Sequence, residues 1–204
     1  MNLKSRDKHS WAIRAAAPDD EEGVHRVVAA AFDDGGNVAD LWAEVEARGH
    51  SRASVVAVES DEVVGHVGIS DAWLDARRAL VDVWMLSPLS TRPDRERRGI
   101  GTALVEAAIG AARDGSVPAL FLEGSPDFYG ARGFERASDR GFLPASLRTP
   151  DRAFQVVTFG THEEWMTGAL VYRDVWWEHD SAGLRDPVLA ELEESLGRVR
   201  TYVR

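Results

Sequence analysis

Apolar residues recur at two periods along the chain, and the change from one period to the other lays out the elements. Val24, Val27, Val28 and Ala31 repeat at helical spacing after Pro18-Asp19-Asp20-Glu21, whose proline and acids suit a helix start. Val38, Leu41, Trp42 and Val45 repeat in the same way and predict a second helix ending near Gly49. Residues 11–17 predict a first strand, and valine-rich runs at 53–59 and 62–69 around Ser60-Asp61 predict a hairpin. Residues 78–89 form a further long strand candidate, and residues 102–113 a helix closed by Asp114-Gly115, with glycine where a helix end favours it. The run 118–123 is short, apolar and bounded by turn residues, which predicts a buried strand parallel to the one before that helix. A short helix over 127–132 and strands over 154–159 and 169–177 follow. Asp186-Pro187 opens a last helix with Val188, Leu189, Leu192 and Leu196 on one apolar face. Antiparallel hairpins with one parallel crossover predict an α+β, or mixed α/β, single domain.

Composition narrows the classes. A chain of 204 residues, 44% hydrophobic, can bury one substantial core. It holds no apolar run long enough to cross a bilayer, and residues 1–10 read as a polar leader without the apolar stretch of a secretory signal. The absence of cysteine excludes disulfides, thiolate zinc sites and cysteine nucleophiles, and it is compatible with a cytoplasmic location. A net charge of −10 makes a poor nucleic-acid binder, because phosphate contacts dominate that affinity. The same field suits a cationic substrate. No nucleic-acid or membrane partner is expected.

The most informative stretch is Arg95-Glu96-Arg97-Arg98-Gly99-Ile100-Gly101-Thr102-Ala103-Leu104-Val105, between a strand and a helix. Its glycines allow a tight turn with exposed backbone N–H groups. Those groups fall at a helix N-terminus, where donors lack partners and the helix dipole is positive. This is an anion seat, suited to phosphate. A Walker loop needs a lysine after the glycines, which is missing, and a dinucleotide fingerprint needs a third glycine where Leu104 stands.

The run from Leu86 to Val105 resembles the central Gln/Arg-x-x-Gly-x-Gly/Ala motif of the GNAT acetyltransferases, and Phe128-Tyr129-Gly130-Ala131-Arg132-Gly133-Phe134 resembles their second motif. The two stand in the family's order, separated by one helix and one strand, and the likeness covers roughly residues 11–177. Leu-x-Pro-Leu before the loop and Gly-Ser-Pro-x-Phe-Tyr look like a bacterial subgroup of the family. The resemblance implies a central mixed, mostly antiparallel sheet with one parallel crossover at an acetyl-CoA loop. It divides the chain into a leader (1–10), an acetyltransferase domain (11–178) and a C-terminal helical extension (179–204).

What the family implies for chemistry is N-acetyl transfer from acetyl-CoA to a primary amine of a small molecule or an amino-terminal group. An acyl-CoA-binding module with little catalysis is the alternative. The coenzyme diphosphate would sit on N–H groups from about Arg97 to Thr102, with Arg97 and Arg98 adding charge. The pantetheine arm would pair with the backbone of Leu89, Ser90 and Thr91, helped by Pro88, which withholds a ladder donor. Glu96 stands where the motif has Gln or Arg, so its side chain is expected to turn away, toward an arginine. Tyr129 matches the family's general acid. Asp82 and Glu123 are candidates for the base, with His66 a further option. The acceptor pocket is expected between the first two helices, residues 71–76 and the strands after Phe154, with Trp42, Trp73, Trp165, Trp176 and Trp177 as candidate lining. The last helix must cover either its own core or a second subunit, so a homodimer is open.

Overall fold

The computed structural model describes residues 10–32 and 34–198, so the leader, except for Ser10, and the end of the extension lie outside the described residues. Its centre is a nine-stranded mixed sheet. β1 (Trp11–Ala15) pairs antiparallel with β2 (Ser51–Glu59), and β2 with β3 (Glu62–Ala76). Ser60 and Asp61 make the hairpin turn at φ 51° and 65°, the left-handed values that a two-residue turn between twisted strands requires.

β3 runs seven residues beyond the strand predicted to stop at Ile69, because it finds two successive partners on one edge. Its first half pairs with β2, and Trp73–Ala76 pairs with β9 (Gly168–Val171). Its other edge carries β4 (Leu80–Thr91). β5 (Ala119–Glu123) follows as the parallel neighbour, then β8 (Phe154–Thr158) and the short β6 (Glu135–Arg136). The short β7 (Phe142–Leu143) pairs with β9. Two-residue strands such as β6 and β7 have no periodicity for a sequence to display.

Helices α1 (Glu21–Phe32) and α2 (Asn37–Ala47) cover one face, where Val24, Val28, Leu41 and Val45 join Val56, Leu74 and Val83 in a core. Phe121 anchors the same layer between Phe142, at 5.0 Å edge-on, and Phe154, stacked at 5.5 Å. α3 (Ile100–Asp114) covers the opposite face through Leu104, Val105, Ala108 and Ala112, with the short α4 (Pro126–Gly130) beside it. No helix among the described residues is long and apolar enough to cross a membrane.

One predicted strand is corrected. Residues 169–177 split into β9 and a helical turn, α5 (Asp174–Glu178). An apolar run this short does not distinguish strand from helix by itself. Here Val175 and Trp176 go to the core while Arg48, just past the end of α2, pairs with Asp174 and Glu178, which docks α5 as a helix beside α2. The last helix, α6 (Val188–Leu196), forms where expected. It lies against residues 148–153: Leu184 N donates to Arg148 O at 3.0 Å, and Asp151 N to Gly197 O at 3.1 Å.

Candidate active site

β4 and β5 touch only briefly. Their parallel register is confined to Trp84–Leu120 and Met85–Phe121. On the other edge of β4 the register slips: Leu89 stands opposite Val67 and Leu86 opposite Ile69, so Ser87 and Pro88 share Gly68 as a partner. Such a bulge bends the strand that carries it. From Leu86 to Thr91, the edge of β4 on the β5 side has no strand partner among the described residues.

The chain then turns into α3. Arg97 at φ 57° and Gly99 at φ 86° are left-handed, and left-handed residues alternating with ordinary ones point successive N–H groups to one side. Glycine takes this conformation freely, whereas for arginine it costs on the order of 1–3 kcal/mol. Ala103 N donates to Gly99 O at 3.1 Å, so the N–H groups of Ile100, Gly101 and Thr102 precede the helical ladder, and no side chain caps them. Leu89, Ser90, Thr91, Glu96, Arg97, Gly99, Ile100, Gly101 and Thr102 line one cleft of about 620 Å³.

The arginines divide. Arg97 lines the cleft and makes no ion pair among the described residues. Arg98 does not line it: its guanidinium bonds Glu59 Oε1 at 3.0 Å and Ser10 Oγ at 2.8 Å. Glu59 also takes Arg95 at 2.6 Å, and Ser10 and Arg95 hold its carboxyl down at about 2. The expectation that Arg98 faces the coenzyme is therefore corrected; it ties the loop to β2. Glu96 is exposed, lines the cleft and forms no ion pair among the described residues, so it does not turn away onto an arginine.

At the far wall, Phe128 and Arg132 complete the cleft. The Arg132 guanidinium lies 3.7 Å from the centre of the Phe128 ring and donates to Thr102 Oγ1 at 2.6 Å, which joins α4 to the first turn of α3. Tyr129 packs edge-on against Phe128 at 4.9 Å and Phe134 at 5.8 Å. Its ring also lies over Gly124, where a Cβ would come within 2.4 Å of it, so only glycine fits. The Tyr129 hydroxyl has no partner among the described residues, and burial pushes it up to about 12. Glu123 ends β5 beside this turn. Its Oε1 accepts from Thr149 Oγ1 at 3.1 Å and from the Tyr172 hydroxyl, and burial pushes the carboxyl above the usual range.

The sequence model of a GNAT acetyltransferase domain matches residues 12–137. The chain belongs to the GNAT acetyltransferase family. Solved structures agree in fold. A GNAT-family N-acetyltransferase (YhbS) from Escherichia coli, in complex with CoA, is 22% identical over 81% of this chain and 91% of that one, with a TM-score of 0.73. A GNAT acetyltransferase from Brucella melitensis in complex with acetyl-CoA is 23% identical over 81% of this chain and 97% of that one, with a TM-score of 0.67. No curated protein matches the sequence.

Within this GNAT fold the other candidates fall in different places. Asp82 is exposed opposite Trp73, near the start of β4. Nine residues of strand, roughly 30 Å at about 3.3 Å each, separate it from Thr91. It lines neither the cleft nor the cavity at the end of β5, so the geometry gives no support to its role as the base. His66 is fully buried beneath Trp42, with Ser54 Oγ 3.0 Å from its Nε2; burial pushes it down to about 3, so it is a neutral core residue. Trp42 and Trp176 are core, Trp73 lies under Arg173, and Trp165 lies under Arg78. None of the tryptophans lines the cleft or the cavity at the end of β5, but Trp42 lines a further cavity of about 430 Å³ between α1 and α2, where a pocket was expected. Residues 71–76 are simply β3, and buried Asp71 pairs with Arg52 at 2.9 Å and with Arg173. Arg132 was missed, although its spacing of four from Phe128 puts both on one face of a helical turn. Ala31 and Phe32 of α1 also reach the cleft, and no sequence signal marks them.

Proposed function

We propose that this GNAT protein binds acetyl-CoA in the cleft and transfers its acetyl group to a primary amine. The observation that carries this reading is the meeting, in one cleft, of an unpaired β4 edge and an uncapped α3 N-terminus. Amide groups of pantetheine fit the first, and a diphosphate fits the second. Arg97 and Arg132 add charge-assisted contacts to the phosphates. Glu96 opposes them, and the backbone donors outnumber it.

The amine nitrogen attacks the thioester carbonyl carbon, and the developing oxyanion takes a hydrogen bond from a backbone N–H near Leu89 or Ser90. The C–S bond then breaks, and the thiolate accepts from Tyr129. A tyrosine held at about 12 is a weaker acid than a thiol near about 8.5, so full transfer is uphill by roughly 3–4 units. Tyr129 therefore acts mainly by donating a hydrogen bond to the charge as it forms. The ammonium proton leaves to Glu123, directly or through water.

Isothermal titration tests the reading. Coenzyme A is expected to bind with on the order of −7 to −9 kcal/mol, the micromolar range and tighter. No binding overturns it, and binding without thiol release in the presence of amines favours the acyl-CoA-binding module. Glu123 makes a pH prediction. Its raised value means that the basic form accumulates only above the usual carboxylate range near about 4.3. The acid limb of kcat/KM is therefore displaced upward. In Glu123→Gln that limb is expected to disappear, and the deficit to shrink at alkaline pH, where free amine already exists. An unchanged limb removes Glu123 from the role of base.

A further inference from the structure

A second cavity, of about 650 Å³, lies at the end of β5. Its lining includes Glu123, Gly124 and Asp127, from the end of β5 and the turn after it, and Leu184, Leu192 and Leu196. The leucines come from the C-terminal segment, well past residue 137, where the match to the family model ends. We infer that this cavity is the acceptor site, and that the C-terminal segment makes it selective for a primary amine carried on an apolar arm. The inference rests on the acetyl-transfer reading above.

Position supports it first. Residues 124–127 face this cavity while Phe128, the next residue, faces the coenzyme cleft, so a single turn of chain separates the two spaces. The Tyr129 ring rests on Gly124, a lining residue of this cavity, and packs on Phe128 of the cleft wall, although Tyr129 itself lines neither space. Charge supports it next. Both hydroxyl donors to Glu123 use Oε1, and Oε2 accepts no hydrogen bond among the described residues. Oε2 is left to accept from an ammonium group, and Asp127 adds a second carboxylate to the same end. Arg152, also on the lining, donates to Ser195 O of α6 at 3.5 Å, so its charge sits beside the leucines and disfavours a second ammonium there.

The apolar wall is fixed rather than incidental. Leu192 and Leu196 are one helical turn apart on α6, and the backbone bonds from Leu184 to Arg148 and from Asp151 to Gly197 hold the segment over the cavity. On this reading Leu192 and Leu196 of the last helix roof the cavity within their own chain, while Val188 of the same apolar face stays exposed.

The test is thiol release from acetyl-CoA by the full chain with ethylamine, butylamine, hexylamine and the diamine of hexylamine's length. Each methylene buried against the leucines is expected to raise kcat/KM by about three- to fourfold, and hexylamine to exceed the diamine. Leu192→Asp is expected to flatten that slope, and Leu192→Phe to shift the optimum to the shorter amines. Both should leave the KM for acetyl-CoA unchanged. Leu192 is half-buried on a surface helix, and the Phe variant keeps the apolar face, so the two substitutions cannot both fail through misfolding alone. A slope unaltered in both variants overturns the acceptor assignment and leaves acetyl transfer standing. Turnover of none of these amines also overturns it; coenzyme A binding in that case favours the acyl-CoA-binding module, and no binding overturns both.

Discussion

Gly101→Trp is expected to weaken coenzyme A binding by more than a hundredfold, the largest loss from any one substitution in the cleft. A Cβ at position 101 would stand 3.4 Å from Phe128 Cζ and 3.8 Å from Thr91 Oγ1, between two residues of the cleft wall. There is room for a methyl group there, and none for an indole together with a diphosphate. Gly101 sits inside α3 at an ordinary helical backbone, so no left-handed conformation is at stake. Gly101→Ala is therefore the control: it should bind coenzyme A nearly as well and stabilise the helix by up to about 1 kcal/mol. The measurement is the isothermal titration, with thermal unfolding run on both variants. Wild-type affinity in the Trp variant would mean that the diphosphate does not occupy the α3 N-terminus.

Tyr129→Phe should lower the rate of thiol release by roughly a hundredfold while leaving coenzyme A affinity nearly unchanged. The substitution is unusually clean. The hydroxyl has no partner among the described residues, so its removal orphans no donor or acceptor, and the ring keeps its contacts with Phe128, Phe134 and Gly124. Because burial holds Tyr129 up at about 12, it stays protonated throughout the working range. The wild-type pH profile should then show no alkaline limb from this residue below that value, and the variant should lose rate evenly across pH. Full activity in Tyr129→Phe would remove the residue from the reaction.

The two substitutions probe regions of different legibility. The seat at 97–102 was visible in the sequence because it is local. Two glycines, a preceding strand and a following helix fix where free N–H groups fall, whatever the rest of the chain does. The helices of one apolar face and the buried strand before Gly124 were legible for the same reason. Tyr129 was placed by a motif, and its neighbours Phe128 and Arg132 follow from helical spacing.

Other assignments failed where a distant residue made the decision. Arg98 carries the same charge and the same neighbours as Arg97, yet Glu59, nearly forty positions earlier, captures it. Asp82 is on the right strand and at the wrong end of it. In the split of 169–177, Gly168–Val171 pairs with β3, while Val175 and Trp176 go to the core and Arg48, just past α2, pairs with Asp174 and Glu178.

By itself, then, the sequence determined the longer elements in their order, the glycine turn that opens α3 and the family, because periodicity, glycine geometry and motif spacing act over a few residues. Only the tertiary structure decided that β4 parts from β5 after Met85, that Thr149 and Tyr172 converge on Glu123, and that α6 lines a cavity beside it. Each of these depends on which segments meet across the sheet, and burial, not local propensity, selects those meetings.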